Sequence, residues 1–326
     1  MTHPLVIGAA GMVGRKLTER LVRGGSTDRL TLVDVITPNT PSGFTGEVHR
    51  AALDLSAPGA AAQAVSGRPG LIFHLAAIVS GEAEADLEKG YRINLDGTRL
   101  LLDAIRIHHE ADGYRPRVVY SSSIAVFGGD LPDVVPEDLR LTPQTSYGVQ
   151  KAMGELIFAD YARRGILGGV GIRLPTIVVR PGKPNRAASS FFSGIIREPL
   201  VGQEAILQVD ESVRHWMASP RSAVGFLLHA AALDTARLAD RPNLSMPGIA
   251  VTVGDQIEAL RHVAGNETAA LIRREPDESI AHMVGGWVRA LDPSRAISLG
   301  FTAETNFEQI IQAHIEDELQ GRTGAQ

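Results

Sequence analysis

Pro4-Leu-Val-Ile-Gly8-Ala-Ala-Gly11-Met12-Val13-Gly14 decides the fold of this 326-residue chain. The apolar run Pro4 to Ile7 reads as a buried strand, and Met12 to Arg23 reads as a helix with apolar positions Val13, Leu17 and Leu21 spaced by four. Three glycines fill the turn between them. Glycine there permits a tight turn, lets a pyrophosphate approach the backbone, and lets the helix pack closely on the strand. The helix N-terminus supplies N–H donors to the phosphate. Spacing alone is weak, because glycine at roughly one residue in ten gives about 0.3 such triplets by chance in a chain this long. Position makes it specific. An acidic residue, Asp34, stands twenty positions past Gly14 at the end of the next strand, where a carboxylate accepts from the adenine ribose hydroxyls and repels a 2′-phosphate. NAD is therefore expected over NADP. Asp54, after the third strand, is a candidate for the adenine amine or simply a turn former.

Working outward, short apolar runs alternate with helical periodicity. Strands are expected at 30–33, 48–53, 70–75, 117–120 and 170–174, with helices over about 85–109 and 146–164. This is the rhythm of βαβ units, so the fold class expected is α/β, a doubly wound Rossmann-type parallel sheet of five or six strands. After Pro175 the rhythm breaks into Arg180-Pro-Gly-Lys-Pro-Asn-Arg-Ala-Ala-Ser-Ser, which is loop chemistry. Residues 1–175 are accordingly expected to form an NAD-binding domain, with a later return around 212–245. Residues 176–326 are expected to form mainly a smaller α/β substrate lobe. Its helices are expected at 191–197, 222–235, 253–263, 280–290 and 307–318.

Composition narrows the function. Lys and Arg number 32 against 37 Asp and Glu, for a net charge of −5, and no segment gathers the basic density that a nucleic acid would need. With zero Cys there is no disulfide framework and no thiolate zinc site. The ten His include no His-Glu-x-x-His pattern, so no metal is expected. The start lacks a signal peptide's basic and long apolar regions. The most apolar stretch, 71–79, is about half a membrane span. A cytoplasmic protein with no membrane partner is expected.

The second chemical signal is Tyr147-Gly-Val-Gln-Lys151. Residues i and i+4 share a helical face, so an ammonium beside the phenol, together with a positively charged nicotinamide, would lower its pKa and let Tyr147 act as a general base. Five Tyr and four Lys predict about 0.06 such pairs by chance. Upstream, Val118-Val-Tyr-Ser121-Ser122-Ser123 ends a strand in three hydroxyls at the carboxyl edge of the sheet, where such folds bind their ligands.

These residues carry a resemblance. The glycine motif, Asp34, His74-Leu-Ala-Ala77, Ser121-Ser-Ser-Ile-Ala-Val-Phe-Gly128, Tyr147-x-x-x-Lys151 and Asp292-Pro-Ser-Arg295-Ala-Ile-Ser-Leu299-Gly-Phe301 resemble the extended short-chain dehydrogenase/reductase family over nearly the whole chain. The resemblance implies that Ser123 positions the substrate hydroxyl, that Tyr147 is the base, and that Lys151 is its activator and nicotinamide-ribose ligand. Around Gly8, Gly11, Gly14, Asp34 and Asp54 it extends the NAD set to Met12, Val13, Leu55, Leu75, Ala76, Ala77, Asn94, Leu174 and Thr176. A homodimer is also implied.

Two departures bear on the substrate. Phe127 stands where many sugar-nucleotide members have Tyr, and Leu174-Pro-Thr176-Ile-Val-Val-Arg-Pro-Gly182 replaces their Asn-x-Tyr-Gly-Pro stretch. The loop from Arg180, with Gly194-Ile-Ile-Arg-Glu-Pro-Leu200 after it, resembles members that oxidise the C2 hydroxyl of a four-carbon sugar acid such as D-erythronate to the 2-oxo acid. A small carboxylate needs fixed donors, and Lys183, Asn185, Arg186 and Arg214 are the candidates. The alternatives are a nucleotide-sugar epimerase or dehydratase that retains its NAD, and a non-catalytic NAD-sensing protein.

Overall fold

A computed structural model describes residues 3–25, 27–182 and 189–322. The chain runs β1 (Pro4–Ile7), α1 (Met12–Arg23), β2 (Arg29–Asp34), β3 (Glu47–Ala52), α2 (Ala60–Val65), β4 (Leu71–His74), α3 (Ser80–Ala85), α4 (Leu87–Gly90), α5 (Gly97–Asp112), β5 (Arg117–Ser123), α6 (Ser146–Arg163) and β6 (Gly168–Leu174). It continues β7 (Thr176–Ile177), α7 (Ser190–Leu200), β8 (Ala205–Leu207), β9 (Arg214–Ala218), α8 (Pro220–Ala232), β10 (Asn243–Ser245) and β11 (Ile249–Thr252). Last come α9 (Val253–Ala264), α10 (Asn266–Ala269), β12 (Ile272–Arg274), α11 (Glu278–Gly285), α12 (Ser294–Ser298) and α13 (Phe307–Glu318). Two compact units result. The first comprises Met1–Val126, Thr145–Arg173 and Val224–Leu244; the second comprises Phe127–Gln144, Leu174–Ala223 and Ser245–Gln326.

A seven-stranded sheet of order β10-β6-β5-β4-β1-β2-β3 organises the first unit. The registers of β3 on β2, β2 on β1, β1 on β4 and β4 on β5 are all parallel. Strand order reverses between β1 and β4, and an open α/β sheet of this kind presents its ligand crevice at the carboxyl ends of those strands. Every residue of β1 and of β4 is buried. This explains why both read as unbroken apolar runs rather than alternating ones. The sheet has one strand more than the β/α rhythm announces, because β10 comes from far along the chain. Leu5, Ile7, Ile72, Leu101, Ile105, Val118 and Phe158 fill the core of this unit, each aliphatic side chain contributing roughly 1.5–3 kcal/mol by burial.

The single helix expected over 85–109 is interrupted. Asp86 leaves helical geometry at φ −136° and caps α4 by accepting from Lys89 N, and a π-helical turn, Tyr91–Asp96, then leads into α5. Such widened turns arise where a side chain must be re-aimed out of the regular repeat. Asn94 lies on this one.

The second unit holds two small sheets, β11-β9-β7 and β12-β8. Its core is built from Phe192, Ile195, Ile196, Met217, Ile257, Leu260, Ile310 and Ile311. The helix expected over 280–290 stops at Gly285, followed by Gly286, since consecutive glycines remove both the propensity and the side chains that would extend it. Among the described residues, no helix is long and apolar enough to cross a membrane.

Candidate active site

The turn after β1 is assembled from backbone. Gly8 takes φ +88°, and a Cβ there would stand 2.8 Å from Ala76 N, so only glycine lets the turn pass the exit of β4. A Cβ at Gly14 would run into the Gly8 carbonyl oxygen, so glycine lets α1 seat directly on the turn. Gly8 N and Ala9 N donate to Val33 O at 2.8 and 3.1 Å, tying the turn to β2. Gly11 caps α1 in an extended conformation without any side-chain cap, which leaves the first N–H groups of the helix for an anion. Met12 and Val13 form the first turn of that helix and are half-buried. Asp34 accepts from Ala10 N at 2.8 Å with one carboxylate oxygen and from Val35 N at 2.7 Å with the other. This clamp fixes the carboxylate at the strand end. A glycine cradle that any Cβ would fill, uncapped helix donors and a held carboxylate together fit the pyrophosphate and ribose of a dinucleotide.

Other residues expected at the cofactor also hold contacts within the protein. Asp54 accepts from Ser56 N and Oγ and from Arg92 Nη1 at 2.7 Å. Burial opposes its charge, but these bonds outweigh that effect and hold the carboxyl below its usual range. Leu55 is buried in the core. Asn94 is buried; its Oδ1 accepts from Ile78 N at 2.8 Å and its Nδ2 donates to Gln150 Oε1 at 2.8 Å. Its amide therefore braces the segment after half-buried Leu75, Ala76 and Ala77 against α6.

The end of β5 is assembled from side chains. Thr145 caps α6 by accepting from Gly148 N at 3.1 Å, which puts Tyr147 in the first turn. Gly154 allows α6 to lie against β5, because a Cβ there would run into the Tyr120 hydroxyl. Lys151 Nζ is buried and donates to the Ser121 carbonyl oxygen at 2.8 Å. It stands 5.2 Å from the centroid of the Tyr120 ring and 5.8 Å from that of Tyr147. Burial lowers the Lys151 ammonium to about 8, and the Glu155 carboxylate resists that fall. Ser123 stands beside Tyr147 and eases ionisation of its phenol, and its Oγ accepts from Ala125 N at 3.1 Å, so it also caps the turn that follows.

In the chain by itself, burial pushes the phenol of Tyr147 up to about 12, against a lowering effect of the neighbouring Ser123, so the expected acidity depends on the nicotinamide charge as well as on Lys151. Spacing along a helix gives the proximity of a cation; it does not give the desolvation that opposes ionisation.

Periodicity also passed over a buried set beneath this face. Glu155 is held in the fork of Arg173 at 2.8 to 3.1 Å, and Ser122 Oγ donates to it at 2.6 Å. The signal was present as Tyr147, Lys151 and Glu155 at intervals of four. His74, at the end of β4, bonds Thr98 through Nε2 at 2.9 Å. Burial, then the charge of Lys151, holds its imidazole down at about 3.

In the second unit, half-buried Thr176 is hydrogen-bonded to His215 Nε2 at 2.6 Å, and Leu174 is half-buried. His215 is stacked on Phe192 at 5.2 Å and lies 5.3 Å from Trp287. Arg214 is engaged with Asp133 at 2.6 Å. Lys183, Asn185 and Arg186 lie outside the described residues. Among the described residues, no group of three or more His, Asp or Glu is placed to hold a metal ion.

Comparison with known proteins agrees with this geometry. The NAD dependent epimerase/dehydratase family model matches residues 4–236. The chain is 45% identical to a D-erythronate dehydrogenase of Cupriavidus necator over 96% of its own length and 98% of that protein's. A D-erythronate dehydrogenase of Haemophilus influenzae is 38% identical, with 97% and 99% covered. Among solved structures, that of a nucleoside-diphosphate-sugar epimerase from Agrobacterium tumefaciens is 63% identical, with a TM-score of 0.96 over 98% of this chain and 95% of that one.

Proposed function

The chain belongs to the NAD dependent epimerase/dehydratase family, and from that premise we propose that it is an NAD-dependent dehydrogenase. Its substrate on this reading is a small sugar acid, D-erythronate or a similar aldonate, whose C2 hydroxyl it oxidises to a ketone. The observation that carries the chemistry is the buried Lys151 ammonium, 5.8 Å from the centroid of the Tyr147 ring, with Ser123 beside the same phenol. The two D-erythronate dehydrogenases, alike over nearly their whole length, support the substrate class.

The α1 N-terminus would hold the pyrophosphate of NAD and Asp34 the adenine ribose. When bound, the nicotinamide ring supplies the hydride acceptor. The chain's own residues do the rest. Ser123 orients the C2 hydroxyl, and Tyr147 takes its proton as the C2–O bond becomes a carbonyl. A phenol raised to about 12 is a poor base at neutral pH unless positive charge stabilises its anion. That is the task of Lys151, whose hydrogen bond to Ser121 O keeps it in place.

A cytoplasmic homodimer completes the reading. Leu156 and Met153 on α6 are 67% and 39% exposed, and Ile107 on α5 is 56% exposed. A second copy covering such apolar positions would remove their contact with water.

NADH absorbance with a panel of four- to six-carbon aldonates tests the proposal, and turnover of D-erythronate is the expected result. A second reading, nucleotide-sugar epimerisation with retained NAD, is favoured by the 63% identity to the Agrobacterium epimerase. No turnover of any acid, together with tight binding of a UDP-sugar, would replace the first reading by the second.

A further inference from the structure

We propose that the buried Glu155–Arg173 pair is the device that sets the charge of Lys151, with Glu155 favouring the ammonium and Arg173 holding that influence in check. The proposal deepens the dehydrogenase reading, since it gives Lys151 the charge that reading needs.

Its basis is geometric. Glu155 follows Lys151 by one helical turn on α6, so both side chains leave the same face. Lys151 and Glu155 are 2% and 1% exposed, leaving almost no water to screen one from the other. Arg173 enters from β6 and closes on the carboxylate with both Nε and Nη2. Ser122 donates to the same carboxylate from β5. The neighbours of Ser122 are Ser121, whose carbonyl receives Lys151 Nζ, and Ser123, which stands beside Tyr147. The pair thus anchors the strand end that carries both groups, as well as acting on Lys151 through charge.

Other groups facing Lys151 contribute little charge near neutrality. His74, from β4, is held neutral by burial at about 3. Tyr147, on α6, is pushed up to about 12, and burial raises the phenol of Tyr120, from β5, well above its usual range. The ion pair is therefore the principal charge that this face sets against the ammonium. Removing its two halves should act in opposite directions. Without Glu155, Lys151 loses its counter-charge and faces the positive charge of Arg173; without Arg173, it faces a carboxylate whose charge is no longer offset by the guanidinium.

Because the chain has only four lysines, Lys16, Lys89, Lys151 and Lys183, their titration can be followed directly by NMR of lysine-labelled protein. The Lys151 signal is assigned by its loss in Lys151→Arg. Glu155→Gln should move its midpoint down by about one pH unit, and Arg173→Met should move it up by about as much. The double variant should return close to the parent, and Arg173→Lys, which keeps the charge but not the fork, should stay near it. The alkaline limb of kcat/KM for D-erythronate should follow the same signs. Shifts of the same sign in both single variants, or no shift in either, would overturn the proposal. Should Glu155→Gln fail to fold, the upward shift in Arg173→Met and its absence in Arg173→Lys still decide it. If the lysine signals move as stated but no aldonate is turned over, the dehydrogenase reading falls and the role of the ion pair stands.

Discussion

Beyond β1 the chain presents almost nothing but backbone: glycine, the start of a helix, and one clamped carboxylate. Beyond β5, in the same unit, it presents side chains resting on buried charge. On the proposed reading the first region would hold NAD through the helix N–H groups and the Asp34 carboxylate. The second would act through Tyr147 and Lys151; burial opposes the charge of both, and Glu155 favours that of Lys151. One unit would then separate holding a ligand from acting on it.

The strongest test of that division is Tyr147→Phe. It should reduce kcat/KM for D-erythronate by about 10³-fold, while NAD affinity measured by calorimetry stays within a factor of a few. An equal loss in both would break the separation. In the converse experiment, Gly14→Ala drives a methyl group into the Gly8 carbonyl. Relieving that overlap costs roughly 2–3 kcal/mol, so NAD should bind about 100-fold more weakly. The alkaline limb set by Lys151 should keep its pH.

A smaller effect asks whether sensitivity to protons is confined to the β5 edge. Burial holds His74, in the first unit, at about 3 and His215, in the second, at about 4, against 6.5 ordinarily. The unfolded chain binds protons below pH 6.5 that the folded chain refuses. The stability these neutral rings contribute is therefore complete above pH 6.5 and declines as pH falls toward 4. Each ring accounts for about 1.4 kcal/mol per pH unit in that window. Denaturant melts at pH 7 and pH 4.5 should show the loss, and His215→Phe should remove about half of the slope. A slope unchanged by that substitution would mean that carboxylates, not buried rings, dominate acid unfolding.

How legible these regions were in the sequence follows from the same contrast. The β1 turn could be read because its requirement is local: Gly8 and Gly14 answer to residues within one strand, turn and helix, apart from the approach of Ala76. Tyr147 and Lys151 could be paired by helical periodicity, but not their proton affinities, which depend on what covers them. A place near the cofactor for Asn94 is implied by the family resemblance alone, whereas its bonds to Ile78 and Gln150 depend on a π-turn that no propensity rule places. Asp54 was ambiguous between ligand contact and turn former, and its bond to Arg92, 38 residues away, lay beyond any local pattern.

By itself the sequence determined the alternation of strand and helix around β1, β2, β4, β5 and β6, the glycine turn and the phenol–ammonium pair, because each is dictated by neighbours within about one helical turn or one strand. Tertiary structure alone decided that Arg173 would meet Glu155 beneath Lys151, that β10 would complete the sheet, and that Tyr147 would be harder to ionise than its spacing implied. Desolvation and long-range pairing depend on segments distant in the chain, and these acquire positions only when the whole unit packs.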